Sequence, residues 1–567
     1  MDRSVGIRRI QNIPSGLSAF PDGSRPAAAY FQFLASFACM CALPLRRLAP
    51  SAPPATSASS APLTAHRARQ PFGDFIEQYR ERLGHLFAER ASCDAINADR
   101  GVPPFVLDRM REVDPLAVYI PEAHGGRGGH IREGLAVLEE TGYHSLALTL
   151  LVGINGGLFL QPVAKYGSEG LQARSFGGIL REKRLGGLMI TEPGYGSDAL
   201  SMKTSWRATG RGTARIEGTK HWGGLTGWAD YWLVTARPLA GDGNLRRDVD
   251  FFVADQNAPG QTIAVTEIYP NLGLRMLPYG RNRVDIEVPE SSRLEPETTG
   301  VKMMLDVLHR SRLQFPGMGM GYLRRMLDEA LGHCRERFVG GQALLDYDQV
   351  RARIARLQAA VTNCAALCLD TSENAGVARD LSGESLKANA FKTTVSDWMQ
   401  DSAQSLLQLV GGNGYRADHI AGRSTVDSRP FQIFEGSNDI LYQQVTESVV
   451  KSMRRVKETN LGRYLASEPL TARAATTFGD ALAFDVDWKM PQRKLVELGR
   501  AISRIVSMEM TIELGERGFA ADLIANALAE TRAEVRAILE GYRQTRLVTL
   551  LEEAAPPDWF ARTRVAM

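Results

Sequence analysis

One glutamate in the carboxyl-terminal half of the chain has neighbours suited to acid–base chemistry. Glu435 lies in FQIFEGSNDI (residues 431–440), after an apolar run and directly before Gly436. Apolar surroundings raise the pKa of a carboxylate towards neutrality, which suits a general base. Gly436 removes side-chain bulk, so a flat ligand has room to pack against that backbone. Alone, the EGS triplet is far more typical of a solvated glutamate at a loop-to-helix junction, so the argument for a base depends on the segments that precede it.

The composition is that of an ordinary globular protein with several domains. The chain has 567 residues, of which 44% are hydrophobic and 23% are charged. This length implies roughly two to four domains. The net charge of +3 gives no argument for a nucleic-acid partner. The six cysteines contain no pair of CxxC units, so no metal site is expected, and free thiols suit the reducing cytoplasm.

Residues 1–70 differ from the rest of the chain. They are rich in Ala, Ser, Pro and Arg, and only Asp2 and Asp22 are acidic. They include an apolar stretch, AAAYFQFLASFACMCALPL (residues 27–45), which is short for a membrane span and contains a glutamine and a proline. A cleaved leader, a membrane anchor and a disordered extension all stay open as interpretations of this low-complexity segment.

The rest of the chain alternates between two hydrophobic periods. Residues 71–185 have the three-to-four spacing of helices, and residues 186–296 shift to a period of two with turn residues, which is typical of strands. Helical spacing returns over residues 297–456 and again in a carboxyl-terminal extension, residues 457–567. Apolar stripes in the extension predict helices that pack on the core or on a partner. The predicted class is α+β, with a β domain between helical domains.

Four segments, in this order and spacing, resemble the acyl-CoA dehydrogenase family. They are MITEPGYGSD (residues 189–198), IEGTKHW (residues 216–222), HRSRLQFPGMGMG (residues 309–321), and QLVGGNGY (residues 408–415) followed by FQIFEGSNDI. The resemblance covers roughly residues 75–455. It implies an N-terminal helical domain, a central β-barrel-like domain and a C-terminal four-helix bundle. It also implies FAD between the β domain and the bundle, in a homodimer or homotetramer.

The same resemblance implies roles for individual residues. FAD is expected to contact the turn after the first strand and the tryptophan of the second segment, and a neighbouring subunit is expected to complete the FAD site. The implied FAD-binding residues are Ile190, Thr191, Gly196, Ser197, Trp222, Gly224, Arg337, Gln408, Gly411, Gly412, Ser437 and Asp439. The implied substrate-binding residues are Ser197, Arg312, Phe434 and Gly436. A surface arginine in a helix is the alternative for Arg312.

Glu435 matches the common position of the family's catalytic base. Some members instead carry the base one residue before the arginine that matches Arg312, where this chain has Ser311. The implied reaction is α,β-dehydrogenation of an acyl thioester on coenzyme A or on an acyl carrier protein. Glu435 would remove the α-proton, hydride would pass to flavin N5, and the trans-2-enoyl thioester would form. Electrons would then pass to an electron-transferring flavoprotein.

Three positions depart from the family pattern. Gly224 replaces a threonine that meets the flavin near N5, the sequence after Arg337 is spread out as RFVGGQ, and Val426 replaces the arginine of an Arg-Asp pair ahead of the base. An oxidase or monooxygenase on the same fold therefore stays as an alternative, which Gly224 favours and Glu435 disfavours. A non-catalytic scaffold is a further alternative. The extension resembles, in placement, those of long-chain members that associate with membranes, so peripheral membrane association is also expected.

Overall fold

The structure, a computed structural model, describes residues 70–90 and 101–544, together with residues 550 and 562. The interpretations of the leader-like segment fall on residues outside this part of the chain. The described residues follow the predicted α+β class, in which a β domain stands between helical domains.

Helices make up the N-terminal part, as the three-to-four spacing predicts. They are α1 (Phe72–His85), α2 (Pro104–Arg111), α3 (Ile131–His144), α4 (Leu146–Gly153), α5 (Gln161–Tyr166) and α6 (Glu169–Arg181). On α1, Phe75, Tyr79 and Leu83 recur every four residues and are all buried, so one face of the helix supplies core. Among the described residues, the continuous helical stretch Leu146–Tyr166 is long and apolar enough to cross a membrane, but 89% of its most apolar window is buried inside the protein. That burial is the pattern of a core helix.

Seven strands follow and form one curled sheet. They are β1 (Gly186–Met189), β2 (Ser205–Ala208), β3 (Thr213–His221), β4 (Tyr231–Pro238), β5 (Asp250–Asp255), β6 (Ala264–Ile268) and β7 (Gly280–Pro289). Neighbouring strands run in the order β1–β4–β2–β3–β7–β6, and β5 also pairs with β4. The register sets Gly218 of β3 opposite Val284 of β7 in an antiparallel pair. Buried and less buried residues alternate along β7, so its side chains divide between the core and the surface.

Helices return after the sheet and build the predicted bundle. They are α7 (Gly300–Arg312), α8 (Phe315–Glu336), α9 (Asp348–Asn374), α10 (Ser385–Val410), α11 (Ile420–Ser428) and α12 (Asn438–Val456), with a short hairpin of β8 (Phe338–Val339) and β9 (Gln342–Ala343) after α8. Four long helices, α8, α9, α10 and α12, pack together as a bundle. Helix α8 also packs closely on α3, because a Cβ at Gly321 would collide with the backbone oxygen of Glu139.

The carboxyl-terminal extension is part of this helical core. It contains α13 (Leu461–Ser467), α14 (Ala472–Thr476), α15 (Gln492–Glu516) and α16 (Ala521–Arg543). Helix α15 packs on α9, α10 and α12, and α16 packs on α9 and α15. Leu498, Ile502 and Ile505, which belong to the predicted apolar stripe, are buried. Of the two roles that such a stripe can have, the structure therefore shows core packing within the same chain.

Candidate active site

Glu435 lies in the loop between α11 and α12, and its backbone is left-handed. Its φ angle is +57°, and that of Gly436 is +91°. Non-glycine residues seldom adopt positive φ, and such strain is concentrated at functional sites. At Gly436 a Cβ would lie 2.9 Å from Leu441 Cδ2 and 3.3 Å from Arg312 Nη2, so a side chain there would disturb the loop.

Two cations hold the backbone of this loop. Arg312 Nε donates to the carbonyl oxygen of Glu435 at 2.9 Å, and Lys392 Nζ donates to the carbonyl oxygen of Gly436 at 2.8 Å. Lys392 also donates to Asn438 Oδ1 at 2.9 Å, at the start of α12. Hydrogen bonds from charged donors are among the strongest in proteins. The consecutive carbonyl groups are therefore fixed by charged donors, which holds the backbone that carries the Glu435 side chain.

The carboxyl group of Glu435 is enclosed, and one of its oxygens is free. Oε2 is buried and accepts no hydrogen bond from the described residues. Burial raises the pKa of Glu435 above its ordinary value, while Arg312, Lys392 and a hydrogen bond with Ser311 act in the opposite direction. A buried oxygen without a partner is rare in a native protein. Here it is an acceptor available to a proton from a ligand.

Both cations are inside the protein. Arg312 is 8% exposed and donates through Nη1 to Asn389 Oδ1 at 2.7 Å, which rules out the surface alternative for this arginine. Lys392 is fully buried, and burial lowers its pKa to about 7. Burial also lowers the pKa of Arg312, and the charge of Glu435 opposes that shift. The site is therefore a desolvated group of three interacting charges, in which each charge affects the other two.

An aromatic cluster lies beside the base. The ring of Phe434 is 4.9 Å from that of Phe431 and 6.1 Å from that of Phe315, centroid to centroid. Phe434 is half-buried, whereas Phe315 and Phe431 are fully buried. The position predicted to line the acyl site thus presents an apolar ring next to Glu435.

A buried ion pair braces the predicted flavin-binding turn after β1. Lys220 Nζ donates to Glu192 Oε1 at 2.8 Å and to the carbonyl oxygen of Ile190 at 3.0 Å. The N–H of His221 donates to the carbonyl oxygen of Thr191 at 2.9 Å, which ties the end of β1 to the end of β3. Burial lowers the pKa of Lys220 to about 8. Ile190 and Thr191 are thus fixed beside Trp222, the residue after His221.

Trp222 is the exposed aromatic residue at this edge of the sheet. Its side chain is 54% exposed, its φ angle is +56°, and its ring centroid is 4.5 Å from that of Tyr269 and 6.3 Å from that of Tyr279. A large apolar side chain held open to solvent in a constrained backbone is typical of a ligand-binding surface. Gly196 and Ser197 are exposed in the adjoining turn.

Gly224 and Tyr279 connect this edge to the base. A Cβ at Gly224 would lie 2.6 Å from Ile154 Cδ1, so a larger residue there requires the end of the Ile154 side chain to shift. The same Cβ would lie 3.5 Å from the ring of Tyr279. Burial raises the pKa of Tyr279, and the charge of Glu435 raises it further. Tyr279 is therefore the point at which the β domain and the Glu435 loop meet.

Six predicted FAD-binding residues lie at the surface or at a helix start. Ser437 directly precedes α12 without a side-chain cap, and Asp439 is exposed in the first turn. No hydrogen bond or ion pair between described residues joins the others to Glu435; they are Arg337, Gln408, Gly411 and Gly412, and all are exposed. Phe338 (65% exposed) and Tyr415 (85% exposed) accompany them. Their role at a neighbouring subunit stays a prediction.

Several residues of the site escape sequence analysis. The partners Glu192 and Lys220 are 28 residues apart, so no local pattern joins them. Tyr279 is at a strand start and looks like an ordinary core aromatic. Lys392 has a faint signal, because it is the only charged residue in ANAFKTTVS (residues 388–396). Its neighbours along one helix face, three residues before and four after, are polar, which marks a polar stripe in a buried helix.

Comparisons with known proteins agree with this architecture. Family models described as the N-terminal, middle and C-terminal domains of acyl-CoA dehydrogenase match residues 76–183, 187–285 and 298–450. An acyl-CoA dehydrogenase of Bacillus subtilis (strain 168) is 24% identical over 343 residues, which are 59% of this chain and 87% of that protein. The mitochondrial very long-chain specific acyl-CoA dehydrogenase of Mus musculus is 24% identical over 374 residues, and the match spans 65% of this chain but 56% of that protein.

Among solved structures, an acyl-CoA dehydrogenase complexed with FAD from Bacillus anthracis has the same fold. It superposes with a TM-score of 0.64 at 17% identity and covers 86% of this chain and 89% of its own. The three domain matches lie in the order of the helical, β and helical parts described above. This chain therefore belongs to the acyl-CoA dehydrogenase family of flavoprotein oxidoreductases, which act on CH–CH groups.

Proposed function

We propose that the protein dehydrogenates an acyl thioester between Cα and Cβ to the trans-2-enoyl thioester, with FAD as oxidant and Glu435 as the base. The observation that carries the proposal is the enclosed carboxyl group of Glu435, whose Oε2 has no partner among the described residues. Because burial raises the pKa of Glu435, its carboxylate binds a proton more readily than an exposed one. Acyl-CoA is the proposed substrate, and an acyl carrier protein is the alternative carrier.

The backbone of Glu435 offers a second group to the thioester. Its N–H donates to no acceptor among the described residues, whereas its carbonyl oxygen is bound by Arg312. An α-proton becomes acidic only if negative charge on the thioester oxygen is stabilised, and a fixed backbone N–H does this well in a desolvated site. One residue thus supplies both the base and a hydrogen bond to the developing enolate. Because Arg312 and Lys392 hold the loop backbone, they fix the N–H of Glu435 relative to its carboxyl group.

The residues on the β-domain side fit FAD. The indole of Trp222 is open to solvent, and a Cβ at Gly194 or Gly196 would meet nothing within 4 Å, so the turn leaves room for a flat ring and its phosphates. When bound, FAD accepts the hydride from the β-carbon. On this chain it would be held by Ile190, Thr191, Gly196, Ser197, Trp222, Gly224, Ser437 and Asp439. A neighbouring subunit would add Arg337, Gln408, Gly411 and Gly412.

The remaining parts of the proposal concern partners. An electron-transferring flavoprotein is the proposed electron acceptor, and a homodimer or homotetramer is the proposed assembly. The assembly is supported by exposed apolar side chains near in sequence to the residues proposed to act across subunits, namely Phe338 and Tyr415. Peripheral membrane association and a cytoplasmic location belong to the same proposal.

Anaerobic bleaching of bound FAD tests the function directly. Acyl-CoA and acyl-carrier-protein thioesters of several chain lengths are added to the yellow holoenzyme, and the thioester that bleaches it fastest identifies the substrate class. Glu435→Gln is expected to keep FAD and to lose at least about 100-fold in bleaching rate, because general bases contribute at least that much. Glu447→Gln, which changes an exposed carboxylate on α12, is the matched control. Bleaching of Glu435→Gln at the wild-type rate would place the base elsewhere.

Oxidase activity is the second candidate, and Gly224 is the observation that favours it. The hydroxyl group that the family places there is missing, because this chain has glycine at the position. In air, substrate-reduced enzyme would then produce hydrogen peroxide at a rate that matches turnover. A dehydrogenase would instead stay reduced in air until an electron acceptor is added, so the same bleaching experiment separates the two.

A further inference from the structure

Asp397 of α10 fastens both ends of the loop that carries Glu435. Gln432 Nε2 donates to Asp397 Oδ1 at 2.7 Å, and Asn438 Nδ2 donates to the same oxygen at 2.8 Å. Gln432 ends the 3-10 turn Arg429–Gln432, and Asn438 begins α12. The five residues between them include Glu435 at the centre. One carboxylate oxygen therefore fixes the distance between the two ends of the catalytic loop.

The other oxygen of Asp397 binds the carboxyl-terminal extension. Arg504 Nη2 of α15 donates to Asp397 Oδ2 at 3.0 Å, and the hydroxyl of Tyr442 donates to it at 2.6 Å. Arg504 is completely buried. It also donates to Thr394 Oγ1 at 2.9 Å and to Glu534 Oε1 of α16 at 2.9 Å. A fully buried arginine from the extension thus connects both of its long helices to the carboxylate that holds the loop.

Arg504 is the stronger of two arginines that keep Asp397 ionised; the other, Arg500, lies 4.0 Å from Asp397 Oδ2. Burial alone would raise the pKa of Asp397, but Arg504, together with the hydrogen bonds from Tyr442 and Gln432, holds it below its ordinary value. An ionised carboxylate accepts hydrogen bonds only, and here it receives four. Removing one partner of a buried ion pair leaves the other charge uncompensated. Without Arg504, Asp397 would take up a proton or change its contacts, and the loop ends would be released.

We propose that Arg504 is a positioning residue for the reaction and that the extension, through Arg504 and Asp397, fixes the position of the loop that carries Glu435. The inference rests on the proposed function of Glu435 as the α-proton base. The extension would then do more than pack in the core. Arg504 is more than 60 residues along the chain from the Glu435 loop and does not contact it, yet it would control the position of that loop. Lys392 reaches the same loop from inside the bundle through Asn438 and Gly436.

The test measures proton abstraction apart from oxidation. A thioester that has α-hydrogens but no β-hydrogens, such as phenylacetyl-CoA, is incubated with the full-length holoenzyme in deuterium oxide, and α-exchange is followed by NMR. We expect Arg504→Met to slow the exchange by 10- to 100-fold, with FAD content and thioester affinity changed less than threefold. The charge-balanced double variant, Asp397→Asn with Arg504→Met, is expected to exchange within about threefold of wild type, because asparagine keeps the acceptor oxygen.

Two controls separate positioning from general stability. Arg517→Met removes another arginine that joins the extension to the bundle, through Glu373, and is expected to lower thermal stability without changing the exchange rate. Should Arg504→Met fail to fold, Asp397→Asn and Asp397→Leu, each combined with Arg504→Met, differ only in the acceptor at position 397. The asparagine form is then expected to exchange at least tenfold faster than the leucine form.

The failures of the two proposals look different. If Glu435→Gln abolishes exchange while Arg504→Met exchanges within twofold of wild type, Arg504 has no positioning role and the inference is wrong. Equal exchange by the asparagine and leucine double variants overturns it in the same way. If Glu435→Gln itself exchanges at the wild-type rate, Glu435 is not the α-proton base. The proposed function is then wrong, and so is the inference that rests on it.

Discussion

At the scale of single residues, the base is held by its backbone while one oxygen of its carboxyl group has no partner among the described residues. Arg312 and Lys392 bind the carbonyl oxygens of two consecutive residues, and Oε2 of Glu435 keeps no protein partner. A base tied down by its own carboxylate would have to break those hydrogen bonds before accepting a proton. Fixing the backbone avoids that cost and still limits the motion of the side chain.

Lys392 gives a prediction about pH. Its charge lowers the pKa of Glu435, so Lys392→Met should raise that pKa further above its ordinary value. Because the base must be ionised, the acidic limb of the bleaching-rate profile should move to higher pH. The lost hydrogen bonds to Gly436 and Asn438 should also lower the plateau by about 10- to 100-fold, since small misplacements of catalytic groups cost that much.

The control for Lys392 lies on the same helix. Lys387 is paired with Asp370 through two hydrogen bonds and does not contact the loop. Lys387→Met should reduce stability and leave the pH profile unchanged. An unchanged acidic limb in Lys392→Met, measured beside that control, would contradict the electrostatic role of Lys392.

The sequence predicts the base but not the groups that hold it. Glu435 lies in a short motif of fixed spacing, so sequence analysis finds it directly. Asp397 and Arg504 are 107 residues apart, and their pairing depends on the packing of α15 against α10. Gly224 shows the same limit, because its neighbour Ile154 belongs to the helical domain. Local patterns specify residues, whereas tertiary packing specifies their partners.

At the scale of elements, carboxylates join the β domain to the helices that follow it, and one of these contacts is on α11, ahead of the Glu435 loop. The N–H of Leu274, in the loop before β7, donates to Asp427 Oδ1 of α11 at 2.6 Å. A Cβ at Gly273 would lie 2.5 Å from the carbonyl carbon of Val426, so the two backbones nearly touch. Val426 stands where the family has arginine, and a close backbone approach leaves little room for a long side chain.

This contact should depend on pH. Burial raises the pKa of Asp427 to about 6, from 3.8 when exposed. Because the folded pKa is the higher one, this group contributes stability that is fully present below pH 3.8 and is lost as pH rises through 6. Asp427→Asn keeps the acceptor and removes the titration, so its stability relative to wild type should increase from pH 4 to pH 7, by about 3 kcal/mol at most. Urea midpoints at several pH values measure the difference.

Asp418→Asn is the control for that experiment. Asp418 is exposed, and a hydrogen bond from Arg416 lowers its pKa to about 2, which is the opposite direction. Its substitution should therefore not reproduce the gain from pH 4 to pH 7. A pH-independent difference between Asp427→Asn and wild type would mean that Asp427 is not buried as an ionised group.

Two glycines of α8 make opposite predictions for the same substitution. A Cβ at Gly321 would collide with Glu139 on α3, whereas a Cβ at Gly332 would meet nothing within 4 Å. Gly332→Ala should raise the free energy of unfolding by up to about 1 kcal/mol through helix propensity. Gly321→Ala should lower it by on the order of 1–3 kcal/mol, because the two helices must separate. Denaturant unfolding of both variants measures each value, and equal effects would show that α3 and α8 are not in close contact.

The element order could be predicted from the sequence, because hydrophobic period changes where β1 begins and changes back before α7. Two features could not. The pairing of β1 with β4 is parallel and skips β2 and β3, so no local turn sequence predicts it. The docking of α15 and α16 on the bundle follows from stripes that would suit a partner protein equally well. In both cases the sequence predicts an element that needs a partner, either for the edge of a strand or for the apolar face of a helix. Only the fold shows which element is that partner.

At the scale of the whole molecule, the proposed site is divided between subunits. The base, the aromatic edge and the turn after β1 belong to one chain, and Tyr279 is close to Gly224 and within reach of the charge of Glu435. Arg337 and the turn at Gly411 are exposed, beside Phe338 and Tyr415. Glycine at 411 has a φ angle of +71°, and its N–H donates to the carbonyl oxygen of Leu407, so the turn closes the end of α10. If these residues bind a neighbour's FAD, each subunit contributes one part of its own site and another part of its neighbour's site.

Mixed dimers test that division. Arg337→Gln should weaken FAD binding about tenfold or more, since a charge-assisted hydrogen bond is lost, and Glu435→Gln should leave FAD bound but inactive. In a mixed dimer of the two variants, one site receives both intact halves and the other receives neither. At an FAD concentration where the Arg337→Gln homodimer is empty, mixed dimers isolated through two different affinity tags should therefore hold FAD in up to half of their sites, and substrate should bleach that FAD. If Arg337 acts on its own subunit's FAD, no site in the mixed dimer is intact, and bleaching should not exceed that of the two parent homodimers.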